Sequence, residues 1–121
     1  MKKTYTTPGG QYFTLYRDIL GSVHTLIAGA SGSGKSVALN SVIHTALLDS
    51  PAKVEFIMID VKRVELGRYR NLPHVIKYAS EPGEPAQALQ YALALIEQRY
   101  REMQKSGALQ YNGSNVYIVY T

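Results

Sequence analysis

The fold is decided by one stretch of sequence, Gly29-Ala30-Ser31-Gly32-Ser33-Gly34-Lys35-Ser36. This stretch matches the pattern G-x-x-x-x-G-K-[ST] in full, and that pattern belongs between a strand and a helix. The apolar run Thr25-Leu26-Ile27-Ala28 predicts the strand, and apolar side chains at helical spacing over residues 35–48 predict the helix. We therefore interpret the stretch as a phosphate-binding P-loop within a βα unit.

The residue types of this loop suit the phosphates of ATP together with Mg²⁺. Glycine at positions 29, 32 and 34 permits backbone angles closed to other residues, so that successive N–H groups converge on an anion at a helix N-terminus. We expect Lys35 to contact the β- and γ-phosphates, as the catalytic residue that this chain supplies, and Ser36 to ligate Mg²⁺. The remaining expected nucleotide-binding residues are Ala30, Ser31, Ser33 and Val37.

Outward from the P-loop, strand and helix signals alternate. Strands are predicted at residues 54–59, 75–78 and 116–120, with a further short strand at 11–16. A long amphipathic helix is predicted over residues 84–106, with an apolar stripe formed by Leu89, Leu93, Ile96, Tyr100 and Met103. This alternation predicts an α/β fold with a mainly parallel sheet covered on both faces by helices. Residues 1–10, made mostly of Lys, Thr, Pro and Gly, are predicted to be a mobile lead-in.

Length and composition limit the possible classes of protein. With 121 residues, of which 45% are hydrophobic, the chain has room for a single domain. The absence of cysteine excludes disulfides and thiolate metal sites. The net charge of +4 suits a partner that carries phosphates, although the basic residues are scattered apart from Lys2-Lys3 and Lys62-Arg63. No apolar run approaches the roughly 20 residues that span a bilayer, so no membrane segment is expected.

Asp60 permits two interpretations. It follows the apolar strand of residues 54–59, and an apolar strand that ends in Asp is the Walker B pattern, in which the acid holds the water shell of the metal. Alternatively, Asp60 caps or turns the chain after a strand next to the P-loop strand, without touching the metal. The residues themselves leave both interpretations open.

Three blocks of sequence, in order, resemble the motor domain of the FtsK/SpoIIIE family of DNA translocases. The first is the P-loop segment at residues 24–37, where Ser31 stands in place of the family's common Thr. The second covers residues 56–66 and continues through Tyr69 to His74, with Val61 replacing the usual Pro. The third is similar to the family's E-x-R-Y-x-x-M helix and comprises Glu97, Arg99, Tyr100 and Met103.

The resemblance implies a RecA-like P-loop fold, a hexameric ring, ATP-driven movement along double-stranded DNA and a bacterial, cytoplasmic location. It also implies that the strand at residues 116–120 leads to the Asp-Glu pair of Walker B. Thr121 stands at the Asp position, and the corresponding Glu would follow it. Residues 1–121 are therefore expected to form a single partial domain that binds ATP without hydrolysing it efficiently alone. The resemblance also places Asp60 on the second strand rather than at Walker B.

Two further interpretations compete with this one. The chain could be a stand-alone nucleotide-binding and assembly module whose incomplete sheet exposes a strand edge. A small P-loop kinase that uses Asp60 is disfavoured, because no Arg-rich lid segment follows. In RecA-like sheets the strand between the P-loop strand and the Walker B strand comes later in sequence than Walker B. We therefore expect either a rearranged gap or self-association in which a strand is borrowed from another copy.

Overall fold

The computed structural model describes residues 2–6, 8–16, 21, 23–30 and 32–121. The chain divides into two compact units, residues 1–48 and 49–121, and the single partial domain expected over residues 1–121 stays a prediction. In chain order the elements are β1 (Lys2–Thr6), β2 (Tyr12–Tyr16), α1 (Lys35–Ala46), β3 (Val54–Ile59), a 3₁₀ turn (Gly67–Tyr69), β4 (Val75–Ala79), α2 (Glu84–Ser106) and β5 (Asn115–Tyr120).

The first unit begins with a β-hairpin. β1 and β2 pair antiparallel from Lys2 opposite Tyr16 to Thr6 opposite Tyr12, and β2 confirms the short strand predicted at residues 11–16. Within the segment predicted to be a mobile lead-in, residues 2–6 form β1, and the mobility itself stays a prediction. The Pro and Gly of this segment lie in the turn at residues 8–10, while Thr and Tyr, which favour strands, lie in β1.

The helix predicted after the P-loop is confirmed, whereas the strand before it is not. α1 spans Lys35–Ala46, with Ile43 and Ala46 buried. Residues 24–30 form no strand, and Leu26 is 91% exposed. An apolar run becomes a strand only when a neighbouring strand accepts and donates its backbone hydrogen bonds, and no described strand pairs with this run. The predicted strand at residues 25–28 is therefore absent, and these residues have no regular secondary structure.

The second unit contains a three-stranded parallel sheet in the order β4-β3-β5. β3 lies in the centre, and every one of its residues is buried except the half-buried Glu55. A strand flanked on both edges and covered on its faces has a nearly continuous apolar sequence, as residues 54–59 do apart from Glu55. The three strands predicted at residues 54–59, 75–78 and 116–120 are confirmed. This small α/β arrangement is consistent with a partial RecA-like P-loop fold.

α2 covers one face of this sheet and has the bounds predicted for it. It begins with Pro85 in its first turn and ends at Gly107, whose φ of +70° is the left-handed conformation that stops helices. Its buried residues are Ala88 and Ala92, which pack with Ile57 and Ile59 of β3. The small alanine side chains let the helix lie close to the sheet.

The side of α2 that faces the sheet differs from the predicted one. In the predicted apolar stripe Met103 is half-buried, but four large side chains remain exposed, and Leu93 is the most exposed of them at 63%. Helical periodicity identified the helix correctly, yet the alanine side packs on the sheet because it allows the closer approach. The exposed members of the stripe are Leu89, Leu93, Ile96 and Tyr100.

Candidate nucleotide-binding site

The P-loop lies in the first unit, directly before α1. The structure describes all of its residues except Ser31, which lies outside the described part of the chain. Lys35 and Ser36 are the first two residues of α1. The N–H of Ser33 donates a hydrogen bond of 3.1 Å to the carbonyl of Ala30, which closes a tight turn before the helix. A turn and a helix are therefore present as the motif requires, whereas the strand before the loop is not formed.

The backbone angles of this loop require glycine at two positions. Gly32 and Gly34 have φ angles of +79° and +90°, in the left-handed region where a side chain is strained. At Gly29 a Cβ atom would come too close to the Oγ of Ser33, which a change of the serine rotamer moves aside. Two of the three glycines of the motif therefore correspond to conformational requirements of the loop.

The N-terminus of α1 suits an anion. Gly34 is the N-cap residue, no side chain of the described residues caps the helix, and the first turn contains no acidic residue. The first amides of a helix have no partner within it and carry partial positive charge, which phosphates complement. Lys35 is half-buried here, while Ser36 and Val37 are exposed. Binding of the ATP phosphates at this helix end stays a prediction.

Asp60 lies at the carboxyl end of β3, in the second unit, and its side chain is completely buried. Its Oδ2 accepts hydrogen bonds from the backbone N–H groups of Glu65 and Leu66, at 3.0 and 2.9 Å. Its Oδ1 is buried without a hydrogen-bond partner among the described residues. Asp60 therefore caps the loop of residues 61–66, as the second interpretation of the sequence expects.

The loop of residues 61–66 also contacts the residues that follow β4 and β5, the two neighbours of β3. On the β4 side, the Nε of Arg63 donates to the carbonyl of Ser80 at 3.2 Å, and its guanidinium forms an ion pair with Glu81 at 3.2 Å. Arg63 itself has a φ of +62°, which is uncommon for a residue with a side chain. These contacts hold the loop over the carboxyl edge of the sheet.

On the β5 side, the loop contacts Thr121. The N–H of Val61 donates to the Thr121 carbonyl at 3.0 Å, and the Thr121 hydroxyl donates to the Glu65 carboxylate at 3.0 Å.

Within the described residues, no three His, Asp or Glu side chains group together in a way that could hold a metal ion. Ser36 as a metal ligand therefore stays a prediction, as do the assigned roles of residues 29–37.

Comparison with known proteins identifies the family. The FtsK/SpoIIIE family profile matches residues 10–119 of the chain. The chain belongs to the FtsK/SpoIIIE family. Membership agrees with the three blocks of sequence and with the P-loop geometry described above. In the described residues, no helix is both long and apolar enough to cross a membrane.

Individual members of the FtsK/SpoIIIE family are similar over most of this chain. The DNA translocase FtsK of Lactiplantibacillus plantarum is 43% identical over 97 residues, which is 78% of this chain and 12% of the relative. That of Listeria monocytogenes is 42% identical over the same length, 13% of the relative. That of Oceanobacillus iheyensis is 38% identical over 117 residues, 88% of this chain and 15% of the relative. The chain thus spans a small part of the length of these relatives.

The third FtsK/SpoIIIE block contains a contact that sequence reasoning missed. Arg99 of α2 donates hydrogen bonds to the carbonyl and the hydroxyl of Ser114, at 2.9 and 3.1 Å, and its guanidinium lies 4.3 Å from the centre of the Tyr111 ring. The Ser114 hydroxyl donates in turn to the Glu55 carboxylate of β3. These bonds join α2, β3 and the residue before β5. The sequence signal for this contact was an arginine on the half-buried side of a helix, but the partners of that arginine lie far away in sequence.

Proposed function

We propose that this chain is the ATP-binding portion of an FtsK/SpoIIIE-type DNA translocase. The observation that carries the proposal is the loop in which Gly32 and Gly34 adopt left-handed angles and lead into an uncapped helix, in a chain of this family. The relatives are named DNA translocases. Double-stranded DNA as the partner, a ring assembly and the bacterial cytoplasm as the location are therefore part of the proposal.

In the proposed site, the backbone N–H groups of residues 29–37 bind the phosphates of ATP. Lys35 contacts the β- and γ-phosphates and neutralises their charge. Ser36 contributes its hydroxyl to Mg²⁺, which supplies further charge neutralisation when bound. Thr121 stands where the family pattern has the Walker B Asp, and a hydroxyl cannot take the place of a carboxylate in organising the metal water shell. Residues 1–121 are therefore proposed to bind ATP without efficient hydrolysis on their own.

The alternative, a nucleotide-binding and assembly module without motor activity, is favoured by one observation. The outer edge of β5 has no partner strand among the described residues, and such edges favour pairing between chains. Neither this alternative nor the binding proposal above predicts ATP turnover at the rate of a complete motor. Measuring ATP turnover by the 121-residue chain therefore tests both of them. Turnover at a motor-like rate would contradict both.

Binding of a fluorescent ATP analogue in the presence of Mg²⁺ tests the site. Lys35→Ala removes a charge-assisted contact of about 1.5–3 kcal/mol, so we expect affinity to fall about 10- to 100-fold. The matched control is Lys53→Ala, an exposed lysine in the turn before β3. Gly34→Ala should likewise weaken binding, because a side chain is strained at a φ of +90°. Its control is Gly107→Ala, which introduces similar strain at a φ of +70° far from the loop in sequence.

The four variants distinguish a nucleotide site from general damage. Affinity reduced in both P-loop variants and kept in both controls supports the proposal. Unchanged affinity in Lys35→Ala would overturn it. Circular dichroism of each variant checks that the helices remain folded, so that loss of binding is not mistaken for loss of structure.

A further inference from the structure

An exposed segment of the second unit contains an asparagine followed directly by a glycine. Asn112 and Gly113 lie between α2 and β5, outside regular secondary structure, and both residues are exposed. Together with Met103 of α2 and with Tyr111 they line an open cleft, so water reaches both of them. An Asn-Gly pair is a common turn sequence, and here it also places two groups that can react with each other in contact with water.

Neither of these two groups is engaged in a hydrogen bond. Among the residues that the structure describes, the backbone N–H of Gly113 donates to no acceptor, and the side-chain amide of Asn112 has no hydrogen-bond partner. Glycine also places no side chain beside its own nitrogen. The amide carbon Cγ of Asn112 and the nitrogen of Gly113 belong to adjacent residues, so attack of one on the other is intramolecular and strongly favoured by proximity.

The other three asparagines of the chain lie in different surroundings. Asn40 is half-buried inside α1, where the helix uses the backbone N–H groups. Asn71 is followed by Leu72, whose N–H donates to the Tyr69 carbonyl at 3.0 Å. Asn115 begins β5 and is followed by a β-branched valine, whose side chain crowds the neighbouring nitrogen. Of the four asparagines, Asn112 is therefore the one with an accessible nitrogen beside it.

We propose that Asn112 is a site of spontaneous deamidation in the folded protein. The backbone nitrogen of Gly113 attacks Cγ of Asn112, and its proton passes through water to the side-chain nitrogen. The Cγ–Nδ2 bond then breaks and ammonia leaves, which produces a cyclic succinimide. Water adds to either carbonyl carbon of this ring and opens it to aspartate or isoaspartate. Overall, one water molecule is consumed and one ammonia is released, and no other reactant is needed.

The isoaspartate product changes the connection into β5. In isoaspartate the main chain runs through the former side chain, which inserts one extra carbon before Gly113. The next residue, Ser114, accepts hydrogen bonds from Arg99 and donates one to Glu55. These contacts fix the residue directly before β5, so the longer main chain disturbs them. The aspartate product adds a negative charge without lengthening the main chain. This modification goes beyond the proposed ATP binding and does not depend on it.

Peptide mapping by mass spectrometry tests the site. The 121-residue chain is incubated at neutral pH, in buffer and in concentrated urea, and deamidation is followed at each asparagine. In buffer we expect Asn112 to react severalfold faster than Asn40, Asn71 or Asn115. The rate at Asn112 should be similar in buffer and in urea, because the folded structure leaves both reacting groups free. The rate at Asn40 should be severalfold lower in buffer, because the helix holds its backbone.

Two variants test the chemistry. Asn112→Gln has one more methylene in the side chain, so attack by the next nitrogen would form a larger and less favoured ring. This variant should lose the modification at position 112 and retain the wild-type stability. Gly113→Ala places a methyl group beside the attacking nitrogen and should slow the reaction severalfold. The Tyr111 ring lies where this methyl group would be and has to move, so circular dichroism checks that the variant is folded.

The effect on β5 is tested with aged protein. Ion-exchange chromatography separates the deamidated chains from the unmodified chain, and urea denaturation then gives the midpoint of unfolding of each fraction. The isoaspartate fraction should unfold at a lower urea concentration than the unmodified chain. Asn112→Asp is the matched control for the added charge, and it should unfold at the same urea concentration as the wild type.

Three results would overturn the proposal. Absence of product at Asn112 in the folded chain would exclude the reaction. A rate at Asn112 that is far lower in buffer than in urea would show that the folded structure protects this asparagine. Equal rates at Asn112 and Asn40 in buffer would show that the surroundings of the asparagines do not select the site. An isoaspartate fraction as stable as the unmodified chain would refute the stated effect on the connection into β5.

Discussion

Asp60 is the residue at which a structural role and a metal-binding role can be separated by experiment. Its carboxylate accepts the N–H groups of Glu65 and Leu66 at 3.0 and 2.9 Å and is completely buried. If this cap is its whole role, substitution should reduce stability and leave nucleotide affinity unchanged in the protein that remains folded. If the carboxylate instead helps to bind the metal, substitution should weaken nucleotide binding and leave the stability unchanged.

The expected loss of stability follows from the two amides. Asp60→Ala leaves both without an acceptor, and an unsatisfied buried donor costs about 1–3 kcal/mol. Part of this cost is offset, because the variant no longer buries a carboxylate whose Oδ1 has no partner among the described residues. We expect a net loss of about 2–4 kcal/mol, a large fraction of the roughly 5–15 kcal/mol that stabilises a small domain. Asp60→Asn retains an acceptor oxygen and should lose about 1 kcal/mol.

Two measurements on the full chain check this expectation. Urea denaturation at neutral pH gives the change in the free energy of unfolding, and titration with the ATP analogue and Mg²⁺ gives the affinity. Asp60→Asn should bind within about twofold of the wild type. Asp49→Asn, at an exposed aspartate, controls for the loss of one negative charge. Full stability combined with loss of Mg²⁺-dependent binding in Asp60→Asn would refute the structural role.

Two further predictions concern α2. Glu84 accepts the N–H groups of Ser80 and Glu81, and these hydrogen bonds hold the pKa of its carboxyl below the ordinary value of 4.5. Because the pKa of Glu84 is lower in the folded state, its ionised carboxylate stabilises the fold above the ordinary pKa, and this stabilisation is lost as the pH falls through the lowered pKa. Glu84→Gln should therefore lower the Tm at about pH 7 and leave it unchanged near about pH 3. Thermal scans that show the same difference in Tm between variant and wild type at both pH values would contradict this. Ala92→Leu should overpack the contact with the sheet and cost about 1–3 kcal/mol, whereas Leu93→Gln should change stability by under about 0.5 kcal/mol. Urea denaturation that ranks the two the other way would show that the exposed side of the helix is the packed one.

Sequence predicted the elements whose signals are local. The apolar run of residues 54–59, interrupted only by Glu55, identified β3, and Pro85 and Gly107 identified the two ends of α2, because each signal acts through its own backbone or its immediate neighbours. The steric requirements at Gly32 and Gly34 are equally local. The loop geometry of the candidate site could therefore be anticipated from eight consecutive residues.

The predictions that failed depend on distant partners. Residues 25–28 have the composition of a strand, but a ladder also needs a neighbouring strand, which no local pattern supplies. Which side of α2 packs depends on how closely the helix can approach the sheet. The small Ala92 therefore packs against the sheet, and Leu93 remains exposed. The Arg99–Ser114–Glu55 contacts link residues 15 and 59 positions apart, so neither periodicity nor spacing could have revealed them.

The carboxyl edge of the sheet shows why nucleotide binding and nucleotide hydrolysis have to be considered separately in this chain. Everything proposed for binding lies in residues 29–37, whereas the edge that would present an acid is joined by internal hydrogen bonds. Asp60 is used by the backbone of its own loop, and the Thr121 hydroxyl donates to Glu65. The two amides of the loop occupy only the Oδ2 of Asp60, and its buried Oδ1 has no partner among the described residues. On the proposal above, ATP binding depends on residues 29–37 alone, so substitution of Asp60 should leave it unchanged even where the loop of residues 61–66 is destabilised.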